Sequence, residues 1–526
     1  MRRDVVRSLA IACDDGGPSV QLTQSNEGMP MSKLTDILLR KRVVDTEEKS
    51  THLNRALGKW HLTLLGIGAV IGTGIFVLTG SAAARADGAG PAIVLSFIFT
   101  AIACGLAALC YAEFASMVPV AGSAYTYAYA AFGEIFAWII GWDLILEYAI
   151  GNVGVAIGWS GYFNSIMAEL GIHIPAWLTV DPMTVHNVIA SPTSYSDAVV
   201  AKVSLATAST PLAGMYFNLP AFIVVCLVTT LLSIGIKESA NANNILVVLK
   251  LVMIGLFLFV GVRHVDFATH WAEFAPNGFS GILTGAALVF FAYIGFDAVS
   301  TTSEECRDPQ RDVPFGMIAS LFICTILYVL VAIVLTGIVP LKELNNAEPV
   351  AAALRVVGEN NVATIIAFGA VLSISSVLLV LQFSQTRIFY SMSRDGLLPE
   401  KLSEVHPRFK TPIWATLLTG AMVGLPAALI DITVAAELSN IGTLFAFAMV
   451  AIGVLILRYQ IPEARRLFRV PFPIIVCPAC AIMCFVLMCG LPLDTWIRFF
   501  VWMAIGLFLY FCFVLPRRMK SVSDAA

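Results

Sequence analysis

Twelve apolar stretches, each near 20 residues, divide this chain, and two of them are interrupted at their middles by glycine-rich strings. The first string is GIGAVIGTGIF, from Gly66 to Phe76. The second is FFAYIGFDAVSTTSEE, from Phe290 to Glu305. A helix that crosses lipid cannot leave backbone N–H and C=O groups unpaired unless protein or a bound polar group replaces the lost bonds. Interruptions at matching places in two halves of a chain point to a midplane binding site built from unwound backbone. The pattern therefore implies a solute transporter.

The stretches lie at about 61–84, 91–117, 133–163, 217–236, 243–262, 280–303, 313–340, 361–390, 412–432, 434–457, 472–491 and 494–515, each to within about four residues. With 58% hydrophobic and 13% charged residues, the chain falls well below the roughly 25% charge of soluble domains. Its 32 Lys and Arg residues sort cleanly: 25 fall on one side of the predicted spans, six on the other, and Lys250 within span 5. Positively charged loops stay in the cytoplasm, which predicts both termini inside. The predicted organisation is a cytoplasmic N-terminal segment (1–59), helices 1–5 (60–262), helices 6–10 (280–457), two further helices (472–515) and a cytoplasmic tail (516–526). Met31 opens an alternative start whose basic amphipathic stretch suits the inner membrane surface. The long polar connection from Met167 to Met215 carries no usable motif.

Gly66, Gly68, Gly72 and Gly74 superficially match a dinucleotide fingerprint, but no strand or following acidic residue accompanies them. Two readings remain. Gly68 and Gly72 form a small-xxx-small packing face; unwinding at Gly72-Thr73-Gly74 additionally explains Thr73 and Gly74. Unwinding would turn the N–H groups and positive dipole end of the outer half-helix towards a cavity, which suits a carboxylate. Carbonyls of Val70 and Ile71, with those of Phe291, Ala292 and Ile294 beside Gly295, would suit an ammonium group. Such a layout matches an α-amino acid zwitterion.

Further strings in the same order are YAEFASMVPVAGSAYTYAY (111–129), GWDLILEY (141–148), DPQRDVP after Glu305, and QTRIFYSMSRDGLLP (385–399). Together with the two glycine strings, they resemble the amino acid–polyamine–organocation superfamily, specifically the cationic amino acid transporter branch and bacterial-type permeases within it. The likeness spans residues 50–516. It implies an all-α membrane protein with a LeuT-like 5+5 inverted repeat plus two extra C-terminal helices. It also implies alternating-access amino-acid transport, with the carboxylate near Thr73 and Gly74 and the amine near Val70, Ile71, Phe291, Ala292 and Ile294. Lys250 would stand where sodium-coupled relatives hold Na⁺, bridging span 1 carbonyls to span 8 hydroxyls among Ser373, Ser375 and Ser376, and would couple uptake to protons.

From the residues alone, Lys250 is equally readable as a snorkelling side chain, since its apolar neighbours offset the insertion cost of about 2.5–3.5 kcal/mol. Asp143 and Glu147, four apart on one face of span 3, and Asp297 are read as interhelical partners or, for Glu147 and Asp297, as pocket or coupling carboxylates. Ile374, on the face of span 8 turned to the pocket, favours small neutral substrates. Glu304-Glu305 with Asp308, Arg387 with Arg394-Asp395, and Glu113 read as an inner salt-bridge gate or as ordinary charged helix ends. Cys477-Pro-Ala-Cys480 with Cys484 reads as small apolar helix residues.

No nucleophile–base set, metal cluster or phosphate-binding GxxxxGK[ST] string is present, so an embedded enzyme and an ATP-driven pump have no support. No cofactor or nucleic acid is implied. The expected partners are an amino acid, a proton and the lipid bilayer, and the sequence does not fix an oligomeric state. Proton-coupled uptake of small neutral L-amino acids leads. A cationic amino acid carrier, an exchanger and a non-transporting receptor are the alternatives.

Overall fold

The computed structural model describes residues 58–117, 123–210, 215–235, 240–463 and 466–524. The N-terminal segment, with the alternative start and amphipathic stretch expected there, lies outside them apart from Gly58 and Lys59. Among the described residues no β-strand forms. The chain passes through α1 (Lys59–Val70), α2 (Thr79–Ala84), α3 (Ile93–Met117), α4 (Ser123–Ala131), α5 (Glu134–Glu169), α6 (Pro182–Ala190), α7 (Asp197–Ser209), α8 (Leu219–Ile234) and α9 (Ala240–Gly261). It continues through α10 (Gly278–Val289), α11 (Pro309–Ile338), α12 (Pro349–Val356), α13 (Asn360–Arg394), α14 (Ile413–Leu429), α15 (Ile432–Gln460), α16 (Pro473–Cys489), α17 (Leu493–Leu509) and α18 (Leu515–Asp524).

Eight of the described helical segments are long and apolar enough to cross a membrane, and α1 with α2 forms a ninth if its bend is counted as one span. Three shorter apolar helices, α8, α14 and α16, occupy three more of the predicted stretches. Each has 16 or 17 residues. At 1.5 Å per residue they reach roughly 25 Å, a little short of a hydrocarbon core of about 30 Å. Their limits come from local chemistry. Asn218 caps α8 by accepting from the Ala221 N–H, and Gly235 ends it at φ 82°.

Helices that are apolar all round are sorted by what they touch rather than by an amphipathic face. α5 and the α10 segment have 83% of their apolar windows buried in protein, against 28% for α17 and its continuation. The first two are therefore the centre of the bundle and α17 faces outward. α5 runs 36 residues, past the predicted end near 163, and packs along α13 and α15, while α11 packs on α1 and α3.

The polar connection after α5 folds into α6 and α7. They have a small core of their own: Ala176, Val180, Val185, Val188, Val203 and Ala206. This layer lies over the ends of α2, α5 and α15, on what is termed the loop face. On the opposite face, buried Glu113 at the end of α3 accepts from Nε and Nη2 of Arg458 at 2.8 and 2.5 Å. Glu113 also lies 3.3 Å from Arg466 Nε and accepts from the Val470 N–H at 2.7 Å.

Candidate binding site at the two helix breaks

α1 stops at Val70, Ile71 is extended (φ −76°, ψ 101°), and the helix resumes at Thr73 through a wide turn, Gly74–Leu78, into α2. The two halves are bent by 43°. The break thus sits at Ile71-Gly72, one residue earlier than the Gly72-Thr73-Gly74 expectation, and Lys250 accounts for the difference. Lys250, on α9 and only 1% exposed, donates from Nζ to Gly68 O at 2.6 Å and Ile71 O at 3.1 Å. An ammonium holding the carbonyls at the end of α1 fixes where the helix stops.

The second break follows α10. A tight turn, Phe290–Tyr293, leads to extended Ile294 (ψ 137°) and then Gly295 at φ 112°, before a 3₁₀ segment from Phe296 to Glu305. That φ is open only to glycine without strain. Gly74 has a different reason to be glycine. It keeps helical geometry, but an added Cβ would lie 2.3 Å from Ala292 Cα, so the two broken segments meet backbone to backbone.

One hydroxyl joins them. Tyr328 Oη, on α11, lies 2.9 Å from Val70 O and 2.8 Å from Ala292 O. A phenol has a single proton, so it donates to one of these carbonyls at a time. Of the five carbonyls expected to wait for an ammonium group, three are therefore engaged at any moment: Val70 or Ala292 by Tyr328, Ile71 by Lys250, and Phe291 by the Ile294 N–H at 3.3 Å. Each retains a second lone pair.

Between the breaks lies a void of about 20 Å³. Val70, Gly72, Thr73 and Gly74 line it from one side, Phe291 and Ile294 from the other. The void has room for about one water, so this conformation is closed around the site. Ile71, Ala292 and Ile374 are buried but are not among its lining residues. On α13 the lining positions are Val377 and Leu381, three and seven residues after Ile374 and on the same helical stripe. Gly151 and Val155 of α5 complete the wall. Their signal was readable in GNVGVAIG, a run of small residues that brings α5 close: a Cβ at Gly158 would lie 2.3 Å from Thr73 Cγ2, and one at Gly154 3.1 Å from the Phe291 ring. Nothing in the sequence set Tyr328 apart.

The α13 hydroxyls are variously occupied. Ser375 accepts from Trp159 Nε1 and donates to Val371 O, Ser376 donates to Ser373 O, and Ser373 Oγ has no hydrogen-bond partner among the described residues.

Three carboxylates lie in the buried centre, on α5 and just past the second break. Asp143 is fully buried and neither oxygen has a hydrogen-bond partner among the described residues, against its reading as an interhelical pairing group. Glu147 leaves Oε2 unpaired, and Asp297 accepts from Tyr148 Oη at 3.2 Å. Of the charged groups read as an inner gate, Asp395 accepts from Tyr125 Oη at 2.8 Å through its side chain and from Arg518 through its carbonyl. Arg387 stacks on Phe383, and the side chains of Glu304 and Glu305 lie outside the described residues. Cys477 Sγ of α16 lies 3.9 Å from Cys110 Sγ of α3, both buried.

A match to the sequence model of the amino acid permease family covers residues 57–510, nearly the whole described chain. The chain belongs to the amino acid permease family. Relatives of this permease include the methylthioribose transporter of Bacillus subtilis, 45% identical over 90% of the chain and 97% of the relative. The branched-chain amino acid permease BcaP of the same organism is 47% identical over 89% and 94%. Cationic amino acid transporter 2, vacuolar, of Arabidopsis thaliana is 38% identical over 82% of the chain and 64% of the relative. The permease is a multi-pass membrane protein and a transporter rather than an enzyme.

Proposed function

We propose that this permease carries a neutral, aliphatic L-amino acid inward by alternating access, coupled to protons. The observation that carries the reading is the void between the two helix breaks, where Val70, Thr73 and Gly74 of one face Phe291 and Ile294 of the other beside Val155, Val377 and Leu381. Main-chain groups suit the two ends of a zwitterion, and the apolar wall suits an uncharged side chain. The 47% identity to a branched-chain permease favours the same class. Residues 60–262 and 280–457 would be the two halves of a 5+5 inverted repeat within twelve spans, with both termini in the cytoplasm of an inner membrane. Lys250 would be the coupling group. Glu147 and Asp297, buried carboxylates near the second break, are further candidates for carrying a proton.

A second reading follows from the 45% identity to a methylthioribose transporter: a neutral thio-sugar would need no zwitterion contacts. Uptake of labelled leucine into proteoliposomes separates the readings. Accumulation blocked by excess isoleucine or alanine supports the proposal. Block by methylthioribose alone, or by arginine alone, overturns it, and binding without accumulation points to a receptor.

A further inference from the structure

A second, larger cavity lies on the loop face, about 510 Å³, within the ~300–1,000 Å³ range of small-molecule sites. Its floor includes Ile157, two residues past Val155 on α5, and Ser81, eight residues past Thr73 on the outer half of the bent helix. It stands directly on the elements that wall the central void. α6 and α7 form its roof.

Most cations on this face are paired. In the cavity wall itself Arg85 is held by Glu437 and Asp87, and outside it Lys342 pairs with Asp197 and Arg355 with Glu169 and Glu348. Two cations in the lining, Lys202 of α7 and Arg498 of α17, have no carboxylate within 4.0 Å among the described residues; of these Lys202 lies on the roof beside Asp181, its Nζ bonded to Thr179 O at 3.2 Å. Opposite in charge, Asp181 and Asp431 both line the cavity and meet at one hydroxyl: Thr184 Oγ1 lies 2.6 Å from Asp181 Oδ2 and 3.0 Å from Asp431 Oδ2. One proton cannot serve both carboxylates, so the couple has an acceptor to spare. Asn164 of α5 lines the same cavity, and both ends of its buried amide are without a hydrogen-bond partner among the described residues. Buried amides are nearly always paired, so this one has both a donor and an acceptor to offer to whatever enters the cavity.

We propose that this cavity is a second binding site for the zwitterion of an α-amino acid, with the carboxylate on Lys202, the ammonium on the Asp181–Asp431 couple, and Asn164 bonding either end. The site holds substrate one step before the central void, above a passage that is closed in this conformation. The proposal rests on an amino acid being the transported class. The test keeps the two apart by counting sites.

Equilibrium binding of labelled leucine to the purified full-length protein in nanodiscs is expected to give two molecules per chain. Lys202→Leu should leave one, with Lys202→Arg restoring the second. Ile294→Trp, which fills the central void, should leave one and abolish uptake in proteoliposomes. The double variant Lys202→Leu/Ile294→Trp should bind none. Melting temperatures report folding, and Asn164→Leu replaces Lys202→Leu if that variant melts early. One leucine per wild-type chain, lost in Ile294→Trp and untouched by Lys202→Leu and Asn164→Leu, overturns the second site and leaves the proposed function standing. No leucine bound to the wild-type chain removes both.

Discussion

Replacing Lys250 by Met tests the coupling reading with a thermodynamic yardstick. The side chain is buried at the first break, and its two bonds to Gly68 O and Ile71 O are the ones that end α1. Charge-assisted bonds are worth about 1.5–3 kcal/mol each, and the cost of burying an ammonium offsets part of that. Losing both should therefore cost about 2–3 kcal/mol, expressed as a tendency of α1 to regain helical bonds and run straighter. The transport consequence is larger. If one proton enters with each substrate, a gradient of one pH unit supplies about 1.4 kcal/mol, enough for roughly tenfold accumulation. Wild-type proteoliposomes with an acidic exterior should concentrate labelled leucine about tenfold per pH unit. The Lys250→Met protein should only equilibrate it, while still exchanging internal for external leucine. A variant that reaches the wild-type ratio under the same gradient refutes the assignment of coupling to this amine.

Gly74→Ala forces a methyl into the Ala292 backbone, so uptake should vanish, with a loss of about 1–3 kcal/mol in denaturant unfolding. Tyr328→Phe removes the only hydrogen offered to Val70 O and Ala292 O by that ring; we expect about a tenfold fall in transport kcat/KM, from the roughly 1–3 kcal/mol cost of an orphaned carbonyl. Asp143→Asn should be as stable as the parent, or more so by up to about 2 kcal/mol, because no partner is lost and the substituted amide carries no charge; a clear drop in melting temperature would reveal a partner. Asp181 is raised from 3.8 to about 6, first by burial and then by Asp431, with Lys202 and Tyr195 also facing that cluster. A carboxyl whose folded value is raised contributes stability fully below about pH 4 and loses it as pH climbs through about 6. Amide exchange in α6, corrected for its intrinsic pH dependence, should therefore quicken above pH 6, and Asp181→Asn should flatten that change.

The membrane class and both helix breaks were legible because lipid punishes unpaired backbone and the glycine strings have few other uses in an apolar run. Length was less legible: α8, α14 and α16 fall short of a full bilayer thickness, and α5 overshoots its apolar stretch, because packing against neighbours rather than hydropathy sets their ends. Ile374 shares a stripe with Val377 and Leu381 but lies one turn before them, since period alone cannot fix the depth of a helix. Tyr328 was invisible for a different reason. Its role is defined by two carbonyls, 258 and 36 residues away in sequence, and a tyrosine in an apolar helix has many ordinary uses. Asp143 shows the converse failure: i, i+4 spacing with Glu147 suggested a structural role through interhelical partners, and the described residues supply none.

The phenol at the seam leaves one acceptor wanting at every instant. Rotating a single O–H transfers the satisfied state from one rim to the other without either rim first facing lipid or vacuum. A seam built with that shortfall can part on either side for less than a dedicated pair of bonds would demand. A carrier that must reopen on every cycle can use this economy of protons as a hinge pin common to both halves.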